Sequence, residues 1–141
     1  MKTIVVGVDG SKQGEAALKV AAEEASLREA NLLIVSVWEN PMLIAPPAAY
    51  ATEAVKDFYD AAADIVRKAI AEAADLQPQV PVEGKVIEGQ PAGVLLKECE
   101  RTNAEMLVVG SRGRGGFTSL MLGSVSQQLA HHAPCPVMIV R

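Results

Sequence analysis

Five short apolar runs punctuate the chain, and four of them are almost uninterrupted: Thr3–Val8 (TIVVGV), Leu32–Val37 (LLIVSV), Met106–Val109 (MLVV) and Val137–Val140 (VMIV). Runs of this length, rich in Val and Ile and without alternation, suit strands buried on both faces of a parallel sheet. The fifth, Val82–Ile87 (VEGKVI), mixes in charged residues and reads as an edge strand. Between the runs the apolar period lengthens to three or four. Gly14, Ala17, Leu18, Ala21 and Ala25 form a stripe of small residues after Ser11. Phe58, Ala62, Ile65, Ala69, Ala73 and Leu76 form a second stripe, in a helix expected to begin near residues 48–52. Ala92, Leu95, Leu96 and Cys99 form a third, opened by Pro91, a favourable first-turn residue. Leu122, Val125 and Leu129 mark a fourth helix that ends before Pro134. Strands and helices thus alternate, which predicts an α/β fold: an open five-stranded parallel sheet with helices on both faces. No repeat or low-complexity linker interrupts the pattern, so one domain over residues 1–141 is expected.

Charge and composition remove whole classes. Lys and Arg number 13 against 17 Asp and Glu, a net charge of −4, whereas a generic nucleic-acid binder carries a basic excess. The same sign gives no attraction to anionic membranes. The longest apolar stretch, Leu32–Trp38, is far short of the roughly 20 residues of a membrane helix. The N-terminal apolar run stops at Asp9 with no signal-peptide core behind it, so a cytoplasmic location is expected. Cys99 and Cys135 show no CxxC pattern and read as a buried helix thiol and a Pro-Cys-Pro turn thiol, not a disulfide.

In open α/β sheets, ligands bind outside the carboxyl ends of the strands. The loops that reach this side are Asp9–Ser11, Trp38–Pro47 and Gly110–Gly123, and the last is the most informative. Gly110, Gly113, Gly115 and Gly116 allow backbone N–H groups to approach a ligand closely, and Arg112 and Arg114 add cationic donors. Gly123-Ser124 then opens a helix, whose free N–H groups favour an anion, and Ser124 and Ser126 add hydroxyls. Together these predict a phosphate cradle. Two competing readings are a turn that needs glycine only for its shape and an RGG-type RNA contact, the latter opposed by the acidic balance. The P-loop pattern fails because Gly115 is followed by Gly116-Phe117, and Asp9-Gly10-Ser11 lacks the dinucleotide glycine spacing. His131 and His132 are adjacent, about 100° apart on a helix, and so do not form a metal pair. Ser124 and His132 lie eight residues apart on one helix, about 12 Å by rise, which excludes a direct bond between them.

The spacing G-x2-G-x9-G-[ST] made by Gly110, Gly113, Gly123 and Ser124 resembles the nucleotide-binding branch of the universal stress protein family. Ile4–Ser11, Leu32–Trp38 and the ending Ser126–Val140 (SQQLAHHAPCPVMIV) are similar to that family as well, so the resemblance covers essentially the whole chain as a single copy. It implies a Rossmann-like sheet, a homodimer paired through Val137–Val140, and ATP or another adenine nucleotide as ligand. Carried over by position, Asp9 would approach the ribose or a phosphate-bound Mg²⁺ or Mn²⁺, and the backbone of Val37 would meet the adenine. Gly110, Arg112, Gly113, Gly123, Ser124 and Val125 would surround ribose and phosphates, with Val8, Val109 and Ser126 completing the candidate site. Beside these roles stand plainer ones: Asp9 as a helix-entry turn residue and Val37 as a buried strand residue. The resemblance implies a regulatory binding protein with no catalytic residues, whose occupancy shifts a surface read by a further protein. Its rivals are a slow ATPase and a module for AMP or cyclic AMP. No nucleic-acid or membrane partner is expected.

Overall fold

The computed structural model describes residues 2–41, 51–112 and 122–141, with side chains from residue 53 onward in the helix that starts at Ala51. Among these, strand and helix alternate throughout: β1 (Thr3–Gly7), α1 (Lys12–Leu27), β2 (Asn31–Trp38), α2 (Ala51–Leu76), β3 (Val82–Glu88), α3 (Pro91–Thr102), β4 (Met106–Gly110), α4 (Ser124–His132) and β5 (Val137–Val140). The five strands form one parallel sheet in the order β3-β2-β1-β4-β5. The architecture is the α/β fold expected from the apolar runs, and Val82–Glu88 lies at an edge, as its charged residues predicted.

Side chains alternate across a strand, and two cores follow from that period. Ile4, Val6, Leu32, Ile34, Met106 and Val108 face α1 and α2, while Val5, Leu33, Val35, Leu107 and Val109 face α3 and α4. On α1 the small residues Gly14, Ala17, Ala21, Ala22 and Ala25 are buried, so the helix axis sits close to the sheet. Ser11 caps this helix, its Oγ accepting from the Gly14 N–H at 3.0 Å. Asn103 closes α3 in the left-handed conformation at φ 50°, a role suited to its short polar side chain. No helix among the described residues is long and apolar enough to cross a membrane.

The stripe expected on α2 is correct in its middle and wrong at both ends. Ala62, Val66, Ala69 and Ala73 are buried, but Phe58 and Leu76 are 52% and 42% exposed. The cause is length. A 26-residue helix spans about 39 Å, whereas the eight residues of β2 cover about 27 Å. The helix therefore overhangs the sheet, and an apolar period continued past the last strand has nothing to cover.

A charged residue on α3 is also buried. Glu98 accepts hydrogen bonds from Arg101 Nη2 and Nε at 2.7 and 2.9 Å, and Lys85 Nζ on β3 lies 3.5 Å away. Burial pushes the Glu98 carboxyl upward, but the bond from Arg101 and the charges of Lys85 and Arg101 outweigh it and hold it below the usual value. A depressed folded-state value means the stabilisation is present above the unfolded pKa and is lost as pH falls through the folded one. Glu98→Gln is expected to cost about 1–2 kcal/mol at pH 7, since half-exposed Arg101 is partly screened by water. Urea midpoints at pH 7 and below pH 4 check this, because the gap to the parent should narrow below the ordinary Glu value of about 4.3. Cys99 and Cys135 are free thiols on the same face of the sheet. Burial pushes the Cys99 thiol up to about 12, leaving it protonated and unreactive at neutral pH.

Candidate functional site

The strand order reverses at β1, from which one connection leads to β2 while the later β4 pairs on the other side. The β1–β4 ladder runs from Ile4–Met106 to Val6–Val108 and includes no pair beyond that point. A crevice of about 250 Å³ opens where these strands part, on the face covered by α3 and α4. Its apolar lining includes Val35 and Val37 from β2, Val109 from β4, and Pro91 and Leu95 from α3. Its polar lining comes from Asp9, Arg112, Ser124 and Ser126, with backbone from Gly110, Gly123 and Val125. Val8 also reaches it, although that side chain packs mainly into the α1 core.

Asp9 is fixed by the turn into α1. Its Oδ1 accepts from the Ser11 N–H at 3.0 Å and from the Ser11 hydroxyl at 2.5 Å. Both bonds fall on one oxygen, and the hydrogen bonds among the described residues do not use Oδ2. The turn needs Gly10, which sits at φ 84°, a conformation costly for residues with a Cβ. Asp9 thus builds the turn into α1 and also lines the crevice. Val37 is half-buried in β2, paired with Ile87, and part of the crevice wall.

At the opposite wall, α4 begins with Gly123 as its N-cap, with φ −66°, ψ 162° and no side-chain cap. The first bond of the helix runs from the Gln127 N–H to the Gly123 carbonyl, so the N–H groups of Ser124, Val125 and Ser126 open the helix without intrahelical acceptors. Ser124 is exposed, whereas Ser126 is buried. The Ser126 hydroxyl donates to the Gly110 carbonyl at 2.8 Å, with the Ser111 carbonyl at 3.2 Å.

The glycines divide by role. A Cβ on Gly110 would lie 2.7 Å from Gln13 Cβ and 2.9 Å from the Gln13 carbonyl carbon, so Gly110 lets β4 pass close to the first turn of α1. Among the described residues, a Cβ at Gly123 would meet the Ser111 carbonyl oxygen at 3.4 Å and Arg112 Cα at 3.5 Å, which is ordinary contact. Gly113, together with Arg114, Gly115 and Gly116, lies outside the described residues. Of the other positions named from the sequence, the structure brings Val8, Asp9, Val37, Val109, Gly110, Arg112, Gly123, Ser124, Val125 and Ser126 to one crevice. It also brings in Gly7, Gly14, Val35, Pro91 and Leu95, which sequence reasoning missed. The signal for the last two was present: Pro91 starts a helix at the carboxyl end of β3, on the same side as the other ligand-facing loops. Among the described residues no group of three His, Cys, Asp or Glu side chains converges on a metal position. His131 and His132 are exposed in the last turn of α4, at its far end from the crevice.

A family model described as the universal stress protein family matches residues 1–141. A universal stress protein of Thermus aquaticus is 36% identical over 141 residues, covering 99% of this chain and 98% of its own length. One from Mycolicibacterium smegmatis is 38% identical over 98% of this chain, which spans only 45% of that longer protein. Among solved structures, universal stress protein UspA from Lactobacillus plantarum superposes with a TM-score of 0.85 at 23% identity, covering 99% of this chain and 97% of its own. A universal stress protein in complex with cAMP gives a TM-score of 0.75 at 26% identity, with the same coverage of 99% and 97%.

Proposed function

The chain belongs to the universal stress protein family, and from that premise we propose that its crevice binds an adenine nucleotide, ATP foremost, as a regulatory ligand. The observation that carries this reading is the pairing of an apolar slot with an uncapped helix start. Val35, Val37, Leu95 and Val109 offer a surface suited to a flat base, and the α4 N–H groups with Arg112 stand at the crevice as phosphate donors. The Asp9 carboxylate, at the end of β1, is suited to a ribose hydroxyl or to a cation already held by phosphates. Mg²⁺ is commonly bound through one or two carboxylates together with substrate phosphates, so a single Asp fits it. The metal would neutralise phosphate charge there.

The structural relative solved with cAMP favours a second reading, in which a monophosphate or cyclic monophosphate is the ligand of the same crevice. Both readings describe binding. Asp9 is the sole carboxylate among the described lining residues, and phosphoryl transfer to water needs a positioned water as well as charge stabilisation. Occupancy acts by favouring one arrangement of the surface around the crevice, which a further protein in the cytoplasm would distinguish. We also assign homodimerisation to β5, an edge strand whose four apolar residues are all half-buried.

The decisive experiment is to denature freshly purified protein, chromatograph the supernatant, and then titrate the emptied protein with ATP, AMP, cyclic AMP and adenosine. Near-stoichiometric adenine nucleotide, or micromolar binding of any phosphorylated ligand, supports the proposal. No co-purified nucleotide and no binding overturns it. Phosphate release that vanishes in Asp9→Ala while binding persists would identify a slow ATPase instead.

A further inference from the structure

The carbonyl at the end of β4 creates a problem for an anion site. The Ser111 N–H donates to the Val140 carbonyl of β5 at 2.7 Å. In a trans peptide the C=O points opposite to the N–H, so the Gly110 carbonyl is turned away from β5 toward the β1 side. There the β1–β4 ladder has already stopped at Val6–Val108, and no strand donor receives it. Left alone, this oxygen would present negative charge to the crevice in which the phosphate is read to lie. The Ser126 hydroxyl, 2.8 Å away and donating, occupies it. Ser126 is only 3% exposed, and its single hydrogen is directed at the β4 end, to the Gly110 carbonyl at 2.8 Å with the Ser111 carbonyl at 3.2 Å as the longer alternative. A second bond at the same junction, from the Gly123 N–H to the Ser111 carbonyl at 2.7 Å, draws the start of α4 to the end of β4.

Resting on the nucleotide reading above, we propose that Ser126 is a positioning residue that makes the crevice accept phosphate without donating to it. It masks the Gly110 carbonyl and pins the first turn of α4, so that the free N–H groups of that turn keep their aim. Ser124, exposed at the same helix start, keeps the direct role. The consequence is selective: loss of the Ser126 hydroxyl penalises the charged part of a ligand and leaves the base and sugar contacts in place.

The test compares AMP with adenosine by calorimetric titration in the parent, Ser126→Ala and Ser126→Thr. Ser126→Ala is expected to weaken AMP by about tenfold or more, because the bared carbonyl dipole then opposes the phosphate charge, and to leave adenosine within about twofold. Ser126→Thr, which restores the hydroxyl, is expected to recover AMP binding. If Ser126→Ala does not fold, Ser126→Cys carries the same comparison, since its thiol keeps the volume and donates weakly. Equal losses for AMP and adenosine, or no loss for either, would overturn the positioning role while the nucleotide reading stands. A parent protein that binds neither ligand would overturn both.

Discussion

Gly123→Asp is expected to abolish nucleotide binding, by at least about a hundredfold (roughly 2.7 kcal/mol), while the protein melts at or above the temperature of the parent. The two effects have opposite signs for one physical reason. Asp is among the preferred N-cap residues, and the Gly123 backbone at φ −66° and ψ 162° already has the N-cap conformation. A carboxylate there accepts from the Val125 or Ser126 N–H and complements the positive end of the helix. Those are the donors the proposed phosphate needs, so the group that stabilises α4 also competes with the ligand and repels it. The described surroundings tolerate the Cβ itself, since its nearest neighbours among them would be 3.4 and 3.5 Å away. Calorimetric titration and a thermal melt on one preparation test both halves. Retained affinity in a folded variant would remove the α4 start from the binding site.

Gly110→Val is expected to do the reverse. Its side chain would enter space held by Gln13, with backbone carbon and oxygen at 2.9 and 3.0 Å from the Cβ alone. A helix backbone cannot yield as a flexible side chain does, so α1 must shift against the sheet that its small residues fit closely. Overpacking of this kind costs about 3 kcal/mol, a fall in Tm of roughly 10 °C for a domain of this size. A melt within about 2 °C of the parent would show that α1 has more freedom than its contacts with β4 imply. The pair of glycine variants thereby separates two requirements that one motif combines: Gly110 for packing and Gly123 for access.

That separation also marks where the sequence was legible. The strands were, because burial on both faces produces runs such as TIVVGV that no amphipathic helix imitates. The start of α3 was, because Pro91 suits a first turn and little else in a helix. The ends of α2 were not: Phe58 and Leu76 keep the period of the core residues, and only the length of neighbouring strands decides whether a period is covered. Glu98 was hidden for the complementary reason, since its burial depends on Lys85, thirteen positions earlier and on another element. At the candidate site, residue types and spacing picked out positions that line one crevice, but not the contacts each group makes there. Gly110 was expected to admit a ligand; it lines the crevice and also admits α1, which the sequence did not show. Ser126 was expected as one more donor, and its hydrogen is spent on a carbonyl turned toward the gap between strands. Such roles follow from which way a peptide faces, and no pattern of letters encodes that at sixteen residues' separation.

The arrangement of the few rings has a practical consequence. The chain has one Trp, two Tyr and two Phe, and the buried core among the described residues contains none of them. Trp38 meets Tyr59 of α2 edge-to-face at 5.9 Å, on the opposite side of β2 from Val37 and the crevice. Among the described residues the interior is therefore optically silent. Tryptophan emission will follow the seating of one long helix against the end of one strand, and a change in packing beneath α3 and α4 will pass without a signal unless a chromophore is placed there.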